Sequence, residues 1–200
     1  MKIHNNTQQK VPRCGWVTDD ALYIEYHDNE WGVPEYSDDR LFEFLVLETF
    51  QAGLSWLTIL KKRENFRRAF DNFDYRKIAD YSDAKVEELL TDKSIIRNRR
   101  KILATIANAQ AFIEVQQEFG SFSQYIWGFV DHQPVQNACK LQKEVPANTP
   151  LSDKISKDLQ KRGFQFVGTT VIYAHMQATG MVNDHTVDCF RYEEVKGMGE

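Results

Sequence analysis

The spacing of apolar positions along the chain reads as a succession of helices. Ser37 stands at a helix start, Asp38 and Asp39 occupy the first turn, and Leu41, Phe42, Phe44, Leu45 and Leu47 carry an apolar face to about Ala52. Carboxylates in that first turn suit the positive end of the helix dipole. Gly53 interrupts the pattern, and Ser55 starts a second helix through Leu57, Leu60, Phe66 and Phe70. Ser82 opens a short helix with Val86, Leu89 and Leu90, and Ile102, Ile106, Ala109 and Ile113 mark a longer one from about Arg99 to Glu118. Ser121 caps a segment carrying Tyr125, Ile126 and Phe129. Two further helices, Ser152 to Arg162 and Thr169 to Thr179, close on Gly163 and Gly180, the position past a helix end where glycine is favoured. Residues 131 to 150 read as a long loop, strand-like alternation is nearly absent, and the predicted fold class is all-α.

Composition narrows the class. Of the 200 residues, 42% are hydrophobic and 27% charged, as in a folded globular protein and unlike a disordered one. No apolar run reaches the ~20 residues of a membrane span, and Met1 to Lys10 is polar without the apolar centre of a secretory signal. The expectation is a cytoplasmic monomer without membrane association. It has one domain over 11–192, with tails at 1–10 and 193–200. Three cysteines, Cys14, Cys139 and Cys189, are too few for a disulfide scaffold and form no CxxC.

A formal net charge of −4 argues at first against a nucleic-acid partner, but its distribution changes that picture. Asp19 to Glu48 holds ten carboxylates and one base, whereas Lys61 to Lys101 holds thirteen bases and eight acids. Lys93, Arg97, Arg99, Arg100 and Lys101 have no acid among them and sit where one helix turns into the next. A basic cluster is commonly just a solvated face. At a helix start, however, backbone amides and arginines together suit a phosphate.

The acidic half carries the candidate chemistry. Trp16, Tyr23, Tyr26, Trp31 and Trp56 crowd into one quarter of the chain, and Glu48 shares a helix face with Leu41, Phe44, Leu45 and Ala52. A carboxylate on an apolar stripe needs a partner or a role. Either it pairs with a buried arginine, or burial raises its pKa and it serves a site. Aromatic faces around one buried carboxylate suit a flat, hydrogen-bonding, cationic ring, and a nucleobase qualifies. His185 and Cys189, four apart, can reach one ion, and Cys14 with His27 could complete a Cys2His2 zinc set. Cys189 could equally be a small core residue. Neither HExxH nor the HxE and PCxxC pair of zinc deaminases occurs, which argues against catalytic zinc.

Several strings carry a family resemblance. Arg13-Cys14-Gly15-Trp16, Tyr26-His27-Asp28-Asn29-Glu30-Trp31-Gly32-Val33-Pro34, Gln51-Ala52-Gly53-Leu54-Ser55-Trp56, Lys61-Lys62-Arg63-Glu64-Asn65, Phe129-Val130-Asp131-His132-Gln133-Pro134, and Lys161-Arg162-Gly163-Phe164 with Phe166-Val167-Gly168-Thr169-Thr170 and Val182-Asn183-Asp184-His185 resemble the constitutive 3-methyladenine DNA glycosylase I family over about residues 12 to 192. The resemblance implies a helix–hairpin–helix DNA glycosylase fold with its hairpin at Ser94 to Arg99. It also implies one structural zinc (Zn2+) on Cys14, His27, His185 and Cys189 that joins the N- and C-terminal segments into a lobe (11–37 and 131–192) beside a helical lobe (38–130).

By the same resemblance, Glu48 and Tyr26 hold the flipped 3-methyladenine, Trp56 stacks on it, and Trp16 and Tyr23 complete the wall. Gly53 and Leu54 enter alkylated double-stranded DNA at the lesion, and Ser94, Arg97 and Arg99 contact its backbone. Members of the family usually have glycine where this chain has Ser94, a position at which glycine supplies positive φ and close phosphate approach. The implied activity is hydrolytic, monofunctional removal of 3-methyladenine. A non-catalytic sensor of alkylated bases would need the same pocket, and a zinc-stabilised interaction module the same four ligands.

Overall fold

The computed structural model describes residues 11–199. The N-terminal stretch 1–10, read as a tail from the sequence, lies outside the described residues. Ten α-helices are present among them: α1 Ala21–Asn29, α2 Asp38–Gln51, α3 Trp56–Ala69, α4 Tyr75–Ala79, α5 Asp83–Thr91, α6 Arg99–Phe119, α7 Phe122–Trp127, α8 Pro150–Lys161, α9 Thr169–Ala178 and α10 Arg191–Lys196. None is long and apolar enough to cross a membrane. The all-α expectation holds with one correction. Two short strands, β1 Val135–Gln136 and β2 Val182–Asn183, pair in parallel with Val135 opposite Val182 and Gln136 opposite Asn183. Two residues per strand are too few for alternation to register in the sequence. The pairing fastens the segment read as one long loop to the C-terminal region.

The helices start and stop largely where their residues dictate. Ser55, Ser82 and Ser121 accept from Thr58, Lys85 and Gln124 backbone N–H groups, each satisfying a donor that the first turn would leave unpaired. Ser37 makes no such bond. Asp38 instead accepts from the Phe122 and Ser123 N–H groups at 2.9 and 2.8 Å, so the start of α2 caps the start of α7. The helix assigned from Ser152 begins at Pro150, because Thr149 is the cap and accepts from Ser152 N–H while proline needs no donor at the first position. α10 extends to Lys196, and its Val195 is fully buried.

One large apolar cluster unites α2, α3 and α6 with α8 and α9 through residues such as Phe42, Phe50, Phe66, Phe112, Phe122, Ile155 and Met176. A smaller cluster joins Cys14, Tyr26, Trp31, Phe44, Leu60, Ala178 and Cys189, with Trp16, Tyr23 and Trp56 against it. α2 lies between the two and is buried without interruption from Leu41 to Phe50. His175 of α9, buried and held to a pKa of about 4 by that burial, lies with Nε2 3.1 Å from the Leu41 carbonyl and ties α9 to α2.

The end of α9 meets the segment after α1 so closely that only glycine fits. Gly180 has φ +70°, and a Cβ there would lie 2.4 Å from the Pro34 nitrogen and the Val33 carbonyl carbon. Both the backbone conformation and the contact oppose a side chain. Gly180→Ala is therefore expected to cost at least about 2 kcal/mol of folding stability, read as a lowered denaturant midpoint. An unchanged midpoint would contradict this packing.

Candidate active site

A cavity of about 230 Å³ opens where α1, α2, α3 and α9 converge, lined by Trp16, Tyr23, Tyr26, Trp31, Glu48, Gln51, Trp56, Gln142, Ala174 and Gln177. All five residues expected to bind a base are therefore together. Aromatic edges and faces form its wall: Trp16 meets Tyr23 and Trp31 edge-on at 5.1 Å, and Tyr26 meets Trp56 at 5.5 Å. The indole N–H groups of Trp16 and Trp56 are buried without a partner among the described residues.

Glu48 is 4% exposed, and no hydrogen bond or ion pair among the described residues reaches its carboxylate. Burial alone pushes its pKa up to about 8. Tyr26 is raised well above the usual phenol value, first by burial and then by the nearby Glu48, so it remains a neutral donor. The alternative that Glu48 pairs with a buried arginine is answered one turn away. Arg63 donates to Glu43 at 2.7 Å and to Glu30 at 2.9 Å, and Arg40 joins the same two acids. Burial works to raise Glu43, but Arg63, Arg40 and Arg67 outweigh it and hold the acid low. Two buried acids thus lie on one helix, one fully compensated and one left open to the cavity.

The Gly53–Leu54 turn follows directly. Gln51 accepts from Leu54 N–H through its carbonyl at 2.7 Å and donates from its amide to the Leu54 carbonyl at 2.9 Å. Gly53 takes φ +84° with open space around it, and Leu54 is 38% exposed. Beneath the turn, Lys101 of α6 is buried and donates to the carbonyls of Phe50 and Ala52 at 2.8 and 2.9 Å. A cation at the negative end of α2 is well placed. It also fixes the turn to the start of α6. In the sequence Lys101 is one member of a basic cluster, and nothing local marks it for burial.

Ser94 and Arg97 lie in the connection from α5 to α6, Arg99 is the first residue of α6, and none of the three lines the cavity. The Ser94 carbonyl accepts from Lys62 at 2.8 Å, which holds that connection against α3. Ser94 does not take positive φ, so serine is accommodated there without backbone strain. Arg97 is exposed, and Arg99 pairs with Glu87.

Behind the aromatic wall, Cys14, His27, His185 and Cys189 are all buried, and their ligand atoms lie within 4.8 Å of one another. Sulfur to nitrogen separations are 3.4 Å for Cys14 to His185, 3.4 Å for Cys189 to His27 and 3.6 Å for Cys189 to His185. Tetrahedral zinc, with bonds of about 2.3 Å to sulfur and about 2.0–2.1 Å to nitrogen, requires neighbouring ligands about 3.5 Å apart. The donor set and spacing fit. The outer nitrogens are also anchored: His27 Nδ1 to Asp28 at 2.7 Å and His185 Nε2 to the Trp31 carbonyl at 2.9 Å, which turns Nε2 of the first and Nδ1 of the second inward. Asp28 in turn is held by Arg13. The four residues can hold a metal ion, and Trp31 links them to the cavity. Trp31, Gln51, Gln142, Ala174 and Gln177 complete the lining beyond the expected set. Gln51 and Trp31 sit inside the recognisable strings, but the others converge only in three dimensions.

The methyladenine glycosylase family matches residues 16–192 of this chain. DNA-3-methyladenine glycosylase 1 of Escherichia coli strain K12 is 53% identical over 182 residues, covering 91% of this chain and 97% of that protein. DNA-3-methyladenine glycosylase of Haemophilus influenzae strain Rd is 45% identical over 177 residues, covering 88% and 96%. A solved structure of 3-methyladenine DNA glycosylase I from Staphylococcus aureus, described for its recognition of 3-methyladenine, superposes with a TM-score of 0.88 at 34% identity, covering 90% of this chain and 96% of that one. A buried carboxylate in an aromatic pocket, a Cys2His2 cluster behind it and a match along nearly the whole chain agree: this protein belongs to the methyladenine glycosylase family.

Proposed function

We propose that the chain removes 3-methyladenine from alkylated double-stranded DNA by hydrolysis of the N-glycosidic bond, and that it does so as a monofunctional enzyme. The observation that carries this reading is the Glu48 carboxylate, buried in an aromatic cavity with no protein partner. The activity named for its relatives supports it.

Methylation at N3 makes the adenine ring cationic, so the base departs as a neutral group from a bond already weakened. Extrusion from the stack costs a few kcal/mol, less for damaged bases, and this favours lesions before any contact is made. Leu54 on its rigid turn fills the gap, while Arg97 and Arg99 engage the backbone. Inside, Trp56, Trp16 and Tyr23 offer faces to the cation. Glu48 accepts from the exocyclic amine and offsets the ring's charge, which an oxo-purine would not match. Tyr26, kept neutral, donates to the base. No lysine lines the cavity and Lys101 is committed to two carbonyls, which supports hydrolysis without Schiff-base chemistry. Cys14, His27, His185 and Cys189 would hold zinc with all four positions taken by protein, so the ion supplies cohesion between the chain's two end segments and no open site for chemistry. The helix–hairpin–helix reading of α5, its turn and α6 belongs to the same proposal.

Glu48→Gln tests the site with two readouts. Excision of 3-methyladenine from methylated duplex falls by at least about a hundredfold, the scale of one preorganised charge contact. Stability moves the other way. Because the folded carboxyl titrates near 8 against an ordinary 4.5, the native state binds more protons between those values and loses stability as pH rises through them. Glutamine removes that loss, on the order of 4 kcal/mol at pH 8 and little at pH 5. Parent-rate excision by the variant, or a stability difference independent of pH, contradicts the assignment.

Metal analysis of the purified protein is expected to give about one equivalent of zinc. Cys189→Ala should lose that zinc together with several kcal/mol of stability. A stable, metal-free parent contradicts the zinc assignment.

A further inference from the structure

The segment Lys140 to Glu144 lies outside the residues proposed to hold the base and the DNA, yet it touches the same cavity. Gln142 lines it together with Gln51, the residue bonded in both directions to Leu54. The segment is built as a rigid turn. Glu144 accepts from the N–H groups of Lys140 and Leu141 at 2.8 and 3.1 Å, and its own N–H donates to the Leu141 carbonyl at 2.9 Å. On one side buried Cys139 accepts from Val187 N–H at 2.9 Å, which fastens the turn to the loop between His185 and Cys189. On the other, a Cβ on Gly15 would meet the Gln142 side chain at 3.5 Å, so the turn lies over the segment that supplies Cys14 and Trp16.

What this rigid turn displays is unusual. Leu141 is 50% exposed. Lys140 and Lys143 flank it, both exposed, and neither has an ion-pair partner among the described residues. Glu144, the nearby acid, has its carboxylate occupied by the two backbone donors. An apolar tip between two free cations, held at the mouth of a base-binding cavity, is complementary to a nucleic-acid strand: phosphates for the lysines, and a sugar or unstacked base face for the leucine. The same pairing of an exposed leucine with a fixed turn occurs at Leu54, whose partner Gln51 lines the same cavity.

We infer that Lys140, Leu141 and Lys143 form a second DNA-gripping element, which holds the strand feeding the cavity while Leu54 occupies the duplex. This inference rests on the proposed action on DNA. It adds that the loop pinned to the Cys2His2 cluster, and not only the basic α5–α6 turn, supplies phosphate contacts.

The test compares the zinc-loaded parent with Lys140→Gln/Lys143→Gln and with Leu141→Ala. Three quantities are measured: affinity for a duplex containing an abasic-site analogue across a range of salt, excision kinetics on methylated duplex, and affinity for free 3-methyladenine by tryptophan fluorescence. The double lysine variant is expected to bind duplex about tenfold more weakly, with its log K against log salt slope reduced by about 2, one unit for each lost phosphate contact. Its KM rises while kcat stays near the parent value. Leu141→Ala is expected to lower kcat/KM severalfold with an unchanged salt slope. All variants bind the free base as the parent does. If the double variant keeps the parent's duplex affinity and salt slope, the inference is overturned. It is overturned too if duplex and free-base affinity fall in proportion, since the turn would then be cavity wall alone. A parent that neither binds nor excises from DNA would instead remove the underlying functional reading.

Discussion

The structure is organised around a carboxylate that is taken out of water and given nothing in return. Glu48 sits on α2 between two apolar clusters, and burial lifts its pKa to about 8. Such a group destabilises the fold in its ionised form. It persists because α2 is secured on every side: by Asp38 against α7, by His175 of α9 near the Leu41 carbonyl, and by Lys101 at its last carbonyls. The Glu43–Arg63 pair one turn earlier shows what a satisfied acid on the same helix looks like. The contrast is what supports the proposal that the open acid is a binding group. On that proposal a cationic ring in the cavity would supply the charge the protein withholds, and recognition and the local cost to stability would have one origin.

The second constraint is closure of the chain's ends. The Cys2His2 cluster brings residues 14 and 27 to residues 185 and 189, and through the Trp31 carbonyl it reaches the aromatic wall. Gly32 shows how tight that junction is: its φ is +79°, and a Cβ would stand 2.9 Å from His185 Nε2. Cohesion at the cluster therefore fixes Trp16, Tyr26 and Trp31, and hence the side of the cavity facing Glu48. Lys101 performs the equivalent task on the other side, joining the Leu54 turn to the start of α6. A cavity held between two fixed edges would select a ligand by shape and charge with little reorganisation.

Much of this was legible in the residues, and the limits are physical. Helices α2, α3, α5 and α6 follow from apolar spacing, helped by serine caps at the starts of α3 and α5, because those signals are local. Glu48 stood out because a charge on an apolar stripe is anomalous wherever the helix packs. What escaped depends on distant partners. Ser37 is a good cap by type, yet the capping carboxylate here is Asp38, directed at another helix. Lys101 looked like one more surface base, since only the end of α2 reveals why it is buried. The β1–β2 pairing is too short to leave a pattern. The Cys2His2 set was recognisable by resemblance, while its spacing over some 160 positions said little until residues 14 and 27 were seen beside 185 and 189.

Glu48 is an unpartnered acid, proposed to take up a cationic or amine-bearing base. The most direct test is titration of the Glu48 side-chain carboxyl by isotope-edited NMR, without and with 3-methyladenine. In the free protein the midpoint should lie near 8, and bound base should move it down as ring and amine donors favour the carboxylate. A midpoint in the ordinary carboxylate range in the free protein, or one that the base leaves unmoved, would mean that Glu48 is not the acid that meets the base.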